Sequence, residues 1–165
     1  FLLMGGFDPY FPVANNEDTE LSYRMSKLGY KMVFNADAVV YHLNHPSSVR
    51  RYARLKFWRG YWRTVVYKRF PDKMLKDTYT PQTLKLQILS LFLLIAVTPF
   101  AVVSSKGMYP LIVIALSFCI LSLSFIVLAM RRDPLVGVCA PFFLCIRAAS
   151  LGFGMLWGIR RSLRT

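Results

Sequence analysis

Residues 86–105 and 107–130 form two uncharged runs of 20 and 24 residues, separated only by Lys106. At about 1.5 Å of helical rise per residue, each is long enough to cross a hydrocarbon core of about 30 Å. Two membrane-spanning helices are therefore expected, over about 86–105 and 107–130. Their short connection makes them an antiparallel hairpin. A third apolar stretch, 135–159, also has the length to span, but it contains Pro141 and Arg147 and is followed by Arg160, Arg161 and Arg164. An arginine at mid-bilayer costs roughly 2.5–3.5 kcal/mol on insertion scales. The segment is thus either spanning or re-entrant, and a shallow path that lets Arg147 reach head groups is preferred.

Charge is distributed unevenly around these runs. The net values are −2 for residues 1–48, +9 for 49–85 and +6 for 86–165, within a chain total of +13. Basic residues gathered just before an apolar run meet anionic lipid head groups and set orientation. Eleven of them precede the first span within residues 49–85, one separates the spans and two follow the second, which places residues 1–85 in the cytoplasm. Membrane lipid is the expected partner. No zinc finger, basic zipper or other nucleic-acid module accompanies the charge, so no nucleic-acid partner is expected. Cys119, Cys139 and Cys145 lie inside apolar segments, where a thiol acts as a small hydrophobe and implies neither a disulfide framework nor a metal site.

Three domains follow: 1–48, a basic aromatic helix and linker over 49–84, and a membrane region over 85–165. Ser47 or Ser48 is placed to cap a helix reaching about Tyr67. On a helical wheel its arginines spread around most of the circumference, with Phe57, Trp58, Tyr61 and Trp62 between them. Snorkelling cations and aromatic rings suit the head-group layer, so the helix is expected at the interface; packing beneath residues 1–48 is the alternative.

Residues 1–48 are expected to be the tail of an α/β domain. The chain opens on Phe1 without a start methionine and reads as the back portion of something longer. A short apolar run stops at Gly5-Gly6. Leu21, Met25 and Leu28 share one helix face, and Gly29 stands where a left-handed C-terminal residue is wanted. Residues 30–34 and 38–43, rich in Val, Tyr and Phe and separated by Asn35-Ala36-Asp37, read as strands.

Asp18 is the candidate catalytic residue. A carboxylate at the start of a helix, beside a loop that opens onto a cleft, can take a proton from an acceptor hydroxyl, an effect of typically 10² to 10⁴ in rate. The plainer role for Glu17, Asp18 and Glu20 is to complement the helix dipole, for about 0.3–1 kcal/mol each. Arg24, four residues after Glu20, is most simply its ion-pair partner, with substrate contact as the alternative. His42 and His45 sit where the last expected strand ends, and His42 can reach donor phosphate or metal there; a hydrogen-bonded strand-end histidine is the bland alternative.

Gly5-Gly6-Phe7-Asp8, then Glu17-Asp18-Thr19-Glu20-Leu21-Ser22-Tyr23-Arg24, then Gly29-Tyr30 resemble the C-terminal signature of family 2 glycosyltransferases. The resemblance covers about residues 1–70 and implies the C-terminal part of a GT-A, Rossmann-like α/β domain. It also implies inverting transfer of a sugar from a nucleotide-sugar donor to a lipid-linked or glycan acceptor in cell-envelope or polysaccharide assembly. Asp18 matches the family's catalytic base, and Gly5, Gly6, Asp8 and Glu17 fall in its acceptor-binding region. The family neutralises the leaving diphosphate with a divalent metal, Mg or Mn, on an Asp-x-Asp element in its first half. No such element occurs in this chain, so these 165 residues alone are expected to be inactive. The Gln-x-x-Arg-Trp motif of processive synthases is also missing from residues 54–62, which argues against that alternative. A non-catalytic membrane anchor or assembly module is the alternative from another class.

Overall fold

The computed structural model describes residues 1–41, 45–75 and 80–163. Among the described residues six α-helices follow in order: α1 (Glu17–Lys27), α2 (Val49–Arg69), α3 (Pro71–Leu75), α4 (Gln82–Val103), α5 (Met108–Arg132) and α6 (Pro134–Ser162). The described residues contain no strand, which overturns the expected α/β, Rossmann-like fold. Residues 1–4, the short apolar run before Gly5-Gly6, form a 3-10 turn over Leu2–Met4 that closes on left-handed Gly5. The segments 30–34 and 38–41 run without a ladder partner and leave their side chains in solvent, Phe34 at 91% exposure. Strand propensity cannot by itself hold two short segments in a sheet. Without a third strand or a covering helix, a two-stranded ribbon is marginal in water.

Helix boundaries follow local chemistry. Ser48 caps α2, its Oγ accepting from the Arg51 amide at 3.2 Å and satisfying one of the orphan donors of the first turn. α1 stops before Gly29, which adopts φ +82°, a conformation that β-carbon sterics deny to most other residues.

The chain forms two compact units. The first comprises Phe1–Leu75 with Gly154–Thr165. Its core gathers Phe11, Tyr23, Val66 and Phe70, with Trp62 and Val65 against them. The C-terminal half of α2 is therefore a packing element, burying Tyr61, Arg63, Val66 and Tyr67, while Arg50, Arg51 and Arg54 of its first half stay exposed. The end of α6 joins this unit through glycines. A β-carbon on Gly154 would stand 2.0 Å from the Phe57 carbonyl oxygen, and one on Gly158 3.0 Å from Thr64, so the backbones approach more closely than any larger residue allows.

The second unit, Lys76–Phe153, holds the hairpin of α4 and α5. At the turn, a β-carbon on Gly107 would lie 2.6 Å from the Ala101 backbone. Phe118, Leu144 and Ala148 form its small core with Ile88, Leu91 and Ile126, and most remaining apolar side chains of α4 and α5 face outward. Helices that are apolar all round and covered on so little of their surface are suited to lipid rather than water. α4, α5 and α6 are each long and apolar enough to cross a bilayer; the protein is a membrane protein. α6 passes through Pro141 as one continuous helix.

A polar network lies inside this apolar unit. Gln87, 2% exposed, donates through Nε2 to the Leu121 carbonyl and to Ser122 Oγ, both at 3.1 Å. Its Oε1 accepts from Arg147 Nη2 at 2.8 Å. Buried amides and guanidinium groups require such partners, and these bonds join three helices at one level.

Candidate functional site

The site is built around the start of α1. Asn16, the residue before the helix, sits at φ +66°, the one non-glycine residue with positive φ among those described. Its Nδ2 donates to the Arg59 carbonyl of α2 at 3.0 Å, anchoring a left-handed conformation that asparagine adopts more readily than other non-glycine residues. The preceding Asn15 is buried, and its Oδ1 has no donor. Glu17 Oε2 is likewise buried without a donor. Each such acceptor costs about 1–3 kcal/mol until something donates to it.

Asp18 is exposed. One carboxylate oxygen, Oδ1, accepts from the Thr19 amide at 2.6 Å and from Thr19 Oγ1 at 3.2 Å. Oδ2 has no hydrogen-bond donor among the described residues, so one acceptor stays open to an incoming hydroxyl while the other fixes the rotamer.

The Gly-Gly loop is tied to the same helix through Arg24. Its guanidinium donates to the Met4 carbonyl and, at 2.8 Å, to the Gly6 carbonyl. It also pairs with Glu20 at 3.0 Å, the i, i+4 bond expected from spacing. Gly5 and Gly6 adopt φ +72° and +68°, which turns both carbonyls toward that fork. Asp8 closes the loop. Its Oδ1 accepts from the Tyr10 amide at 2.8 Å and its Oδ2 from Arg69. The Tyr10 amide, then Arg69, hold the Asp8 carboxyl below its ordinary value of 3.8. Arg69 lies 5.1 Å from the centre of the Tyr10 ring and 3.8 Å from Glu20, so one guanidinium joins α2 to both α1 and the loop.

The expected acceptor-side residues Gly5, Gly6, Asp8, Glu17 and Asp18, together with Arg24, thus occupy one compact unit and are linked through α1. His42 lies outside the described residues. Asn15, Asn16 and Arg69 were not picked out from the sequence. An asparagine pair directly before an acidic first turn is the available signal for the first two; nothing local marks Arg69, which is 61 residues from Asp8. Two clefts in the unit, one beside Tyr23 and Asp72 and one beside Tyr61 and Arg161, do not include Asp18.

Asp8 and Glu20 are held by arginines, and no group of three metal-ligating side chains occurs among the described residues. Comparison with known protein families, curated proteins and solved structures gives no match for this chain.

Proposed function

We propose that this chain carries the acceptor side of a membrane-anchored, inverting glycosyltransferase, with Asp18 as general base. The observation that supports this most is the placement of Asp18: an exposed carboxylate in the first turn of α1, its Oδ1 held by Thr19 and its Oδ2 open. In the reaction, Asp18 Oδ2 takes the proton of the acceptor hydroxyl as its oxygen bonds to the anomeric carbon. The bond from that carbon to the donor's diphosphate breaks, and the proton passes from Asp18 to water.

The concentration of Lys and Arg before α4 supports a cytoplasmic position for residues 1–75. Gln87, in the second turn of α4, supports a level for Arg147 about 8 Å along that helix from its start, near the head groups rather than at mid-bilayer. The packing of Gly154 and Gly158 on α2 supports a path for α6 that keeps its end on the side of residues 1–75. Labelling a cysteine placed after Arg164 from each side of sealed vesicles tests this, and reaction from the far side alone rejects it.

The helical architecture favours a second reading, a non-catalytic membrane anchor or assembly module. Incubating the intact protein in membranes with labelled nucleotide sugars separates the two. Transfer of label to lipid or glycan supports the enzyme, and its absence with every donor supports the anchor.

A further inference from the structure

Arg50, Arg51, Arg54 and Trp58 are exposed on the first half of α2 and fall within an arc of about 100° on its surface. Arg51 Nη1 donates to Ser47 Oγ at 3.1 Å. Arg50 and Arg54 have no hydrogen bond, ion pair or ring contact among the described residues. Because α2 contains no Asp or Glu, no acidic partner stands one turn away on the same helix. The arginines do nothing for the helix itself, since cations near a helix start oppose its dipole. Their charge is directed at something outside the fold.

Within the first unit α2 and the end of α6 run in the same direction. Gly154 lies against Phe57, Gly158 against Thr64, and Lys68 donates to Ser162 Oγ at 2.8 Å. The start of α2 is therefore at the end of this contact where α6 comes in from its apolar stretch, which is the bilayer side. Leu156, Trp157 and Ile159 are exposed on α6, and Trp58 shares the face of the arginines. Exposed tryptophan and arginine together suit the head-group layer. Neither the cleft beside Tyr23 nor the one beside Tyr61 takes in any of the four residues. A shallow face with three positive charges matches a plane of anionic head groups, whose negative surface potential attracts each such residue, better than it matches a small ligand.

We infer that the face formed by Arg50, Arg51, Arg54 and Trp58 attaches the first unit to the anionic head groups of the membrane surface, independently of any transferase activity. The test treats the intact protein with phenylglyoxal in nanodiscs of phosphatidylcholine, with or without phosphatidylserine, and maps modification of each arginine by mass spectrometry. Phosphatidylserine slows modification of Arg50, Arg51 and Arg54 about fivefold each, the value of one interfacial cation. Salt at about 1 M removes that protection. The attraction is shared among the three, so Arg50→Gln with Arg51→Gln abolishes protection at Arg54, whereas Arg50→Lys with Arg51→Lys keeps it. Equal modification rates of the wild-type protein in the two lipids overturn the inference. So does full protection of Arg54 in the double glutamine variant, or matching protection by a single-stranded RNA in nanodiscs of phosphatidylcholine alone.

Discussion

Arg24 on α1 donates to the carbonyl oxygen of Gly6 at 2.8 Å across 18 residues of chain. Because the same guanidinium also meets Met4 and Glu20, the Gly-Gly loop cannot move without the helix that carries Asp18. Arg24→Lys is expected to release the loop. A single ammonium lacks the planar fork needed to serve two carbonyls and a carboxylate together, and charge-assisted hydrogen bonds contribute about 1.5–3 kcal/mol each. Faster amide exchange at residues 4–8, with α2 unaffected, is the expected readout.

Asp8 gives the loop a dependence on pH. Its folded-state pKa is depressed, so its contribution is present above the unfolded value near 3.8 and is lost as pH falls through the lower folded value. Exchange at the Tyr10 amide, corrected for its intrinsic rate, is expected to rise below about pH 4. Asp8→Asn is expected to raise exchange above about pH 4, where wild-type Asp8 is ionised, and to remove that dependence.

Gly154 and Gly158 set the distance between α6 and α2 unequally. A β-carbon at Gly154 meets backbone at 2.0 Å, whereas at Gly158 it meets a Thr64 side chain at 3.0 Å. Gly154→Ala is expected to destabilise by about 1–3 kcal/mol, as overpacking does, and Gly158→Ala by clearly less. Thermal unfolding of the two variants in the same detergent checks the order.

Helices α1, α2, α4 and α5 were legible in the sequence, their ends to within a few residues, because their causes are local. Ser48 caps, Gly29 turns, and the uncharged runs need only their own length to become α4 and α5. The strands expected at 30–34 and 38–43 depended on partners that composition cannot supply, and the described part of these segments stays unpaired. Gln87 escaped notice because an uncharged run was read by charge, although a glutamine within an apolar helix signals an internal partner. The place of Asp18 in the first turn of α1 and the i, i+4 bond of Arg24 were readable from spacing. The bond of Arg69 to Asp8 and the donor-less state of Asn15 arise only in three dimensions.

Gln87 and Arg147 are expected to be coupled. Gln87→Leu leaves the guanidinium without its 2.8 Å acceptor, and hydrogen bonds inside membrane proteins contribute about 0.6 kcal/mol on average and up to about 1.7. The double variant Gln87→Leu/Arg147→Met is expected to lose less stability than the sum of the two single variants. Unfolding of all four proteins in one bilayer mimetic measures that difference.

The carboxylate of Asp18 carries the account, and replacing it in the intact protein tests it most directly. Asp18→Asn keeps the size of the side chain and an oxygen for the Thr19 amide while removing the basic group. Sugar transfer by the variant, measured beside wild type with helicity unchanged by circular dichroism, is predicted to fall about 10² to 10⁴-fold. Transfer at the wild-type rate contradicts the assignment of Asp18 as the base.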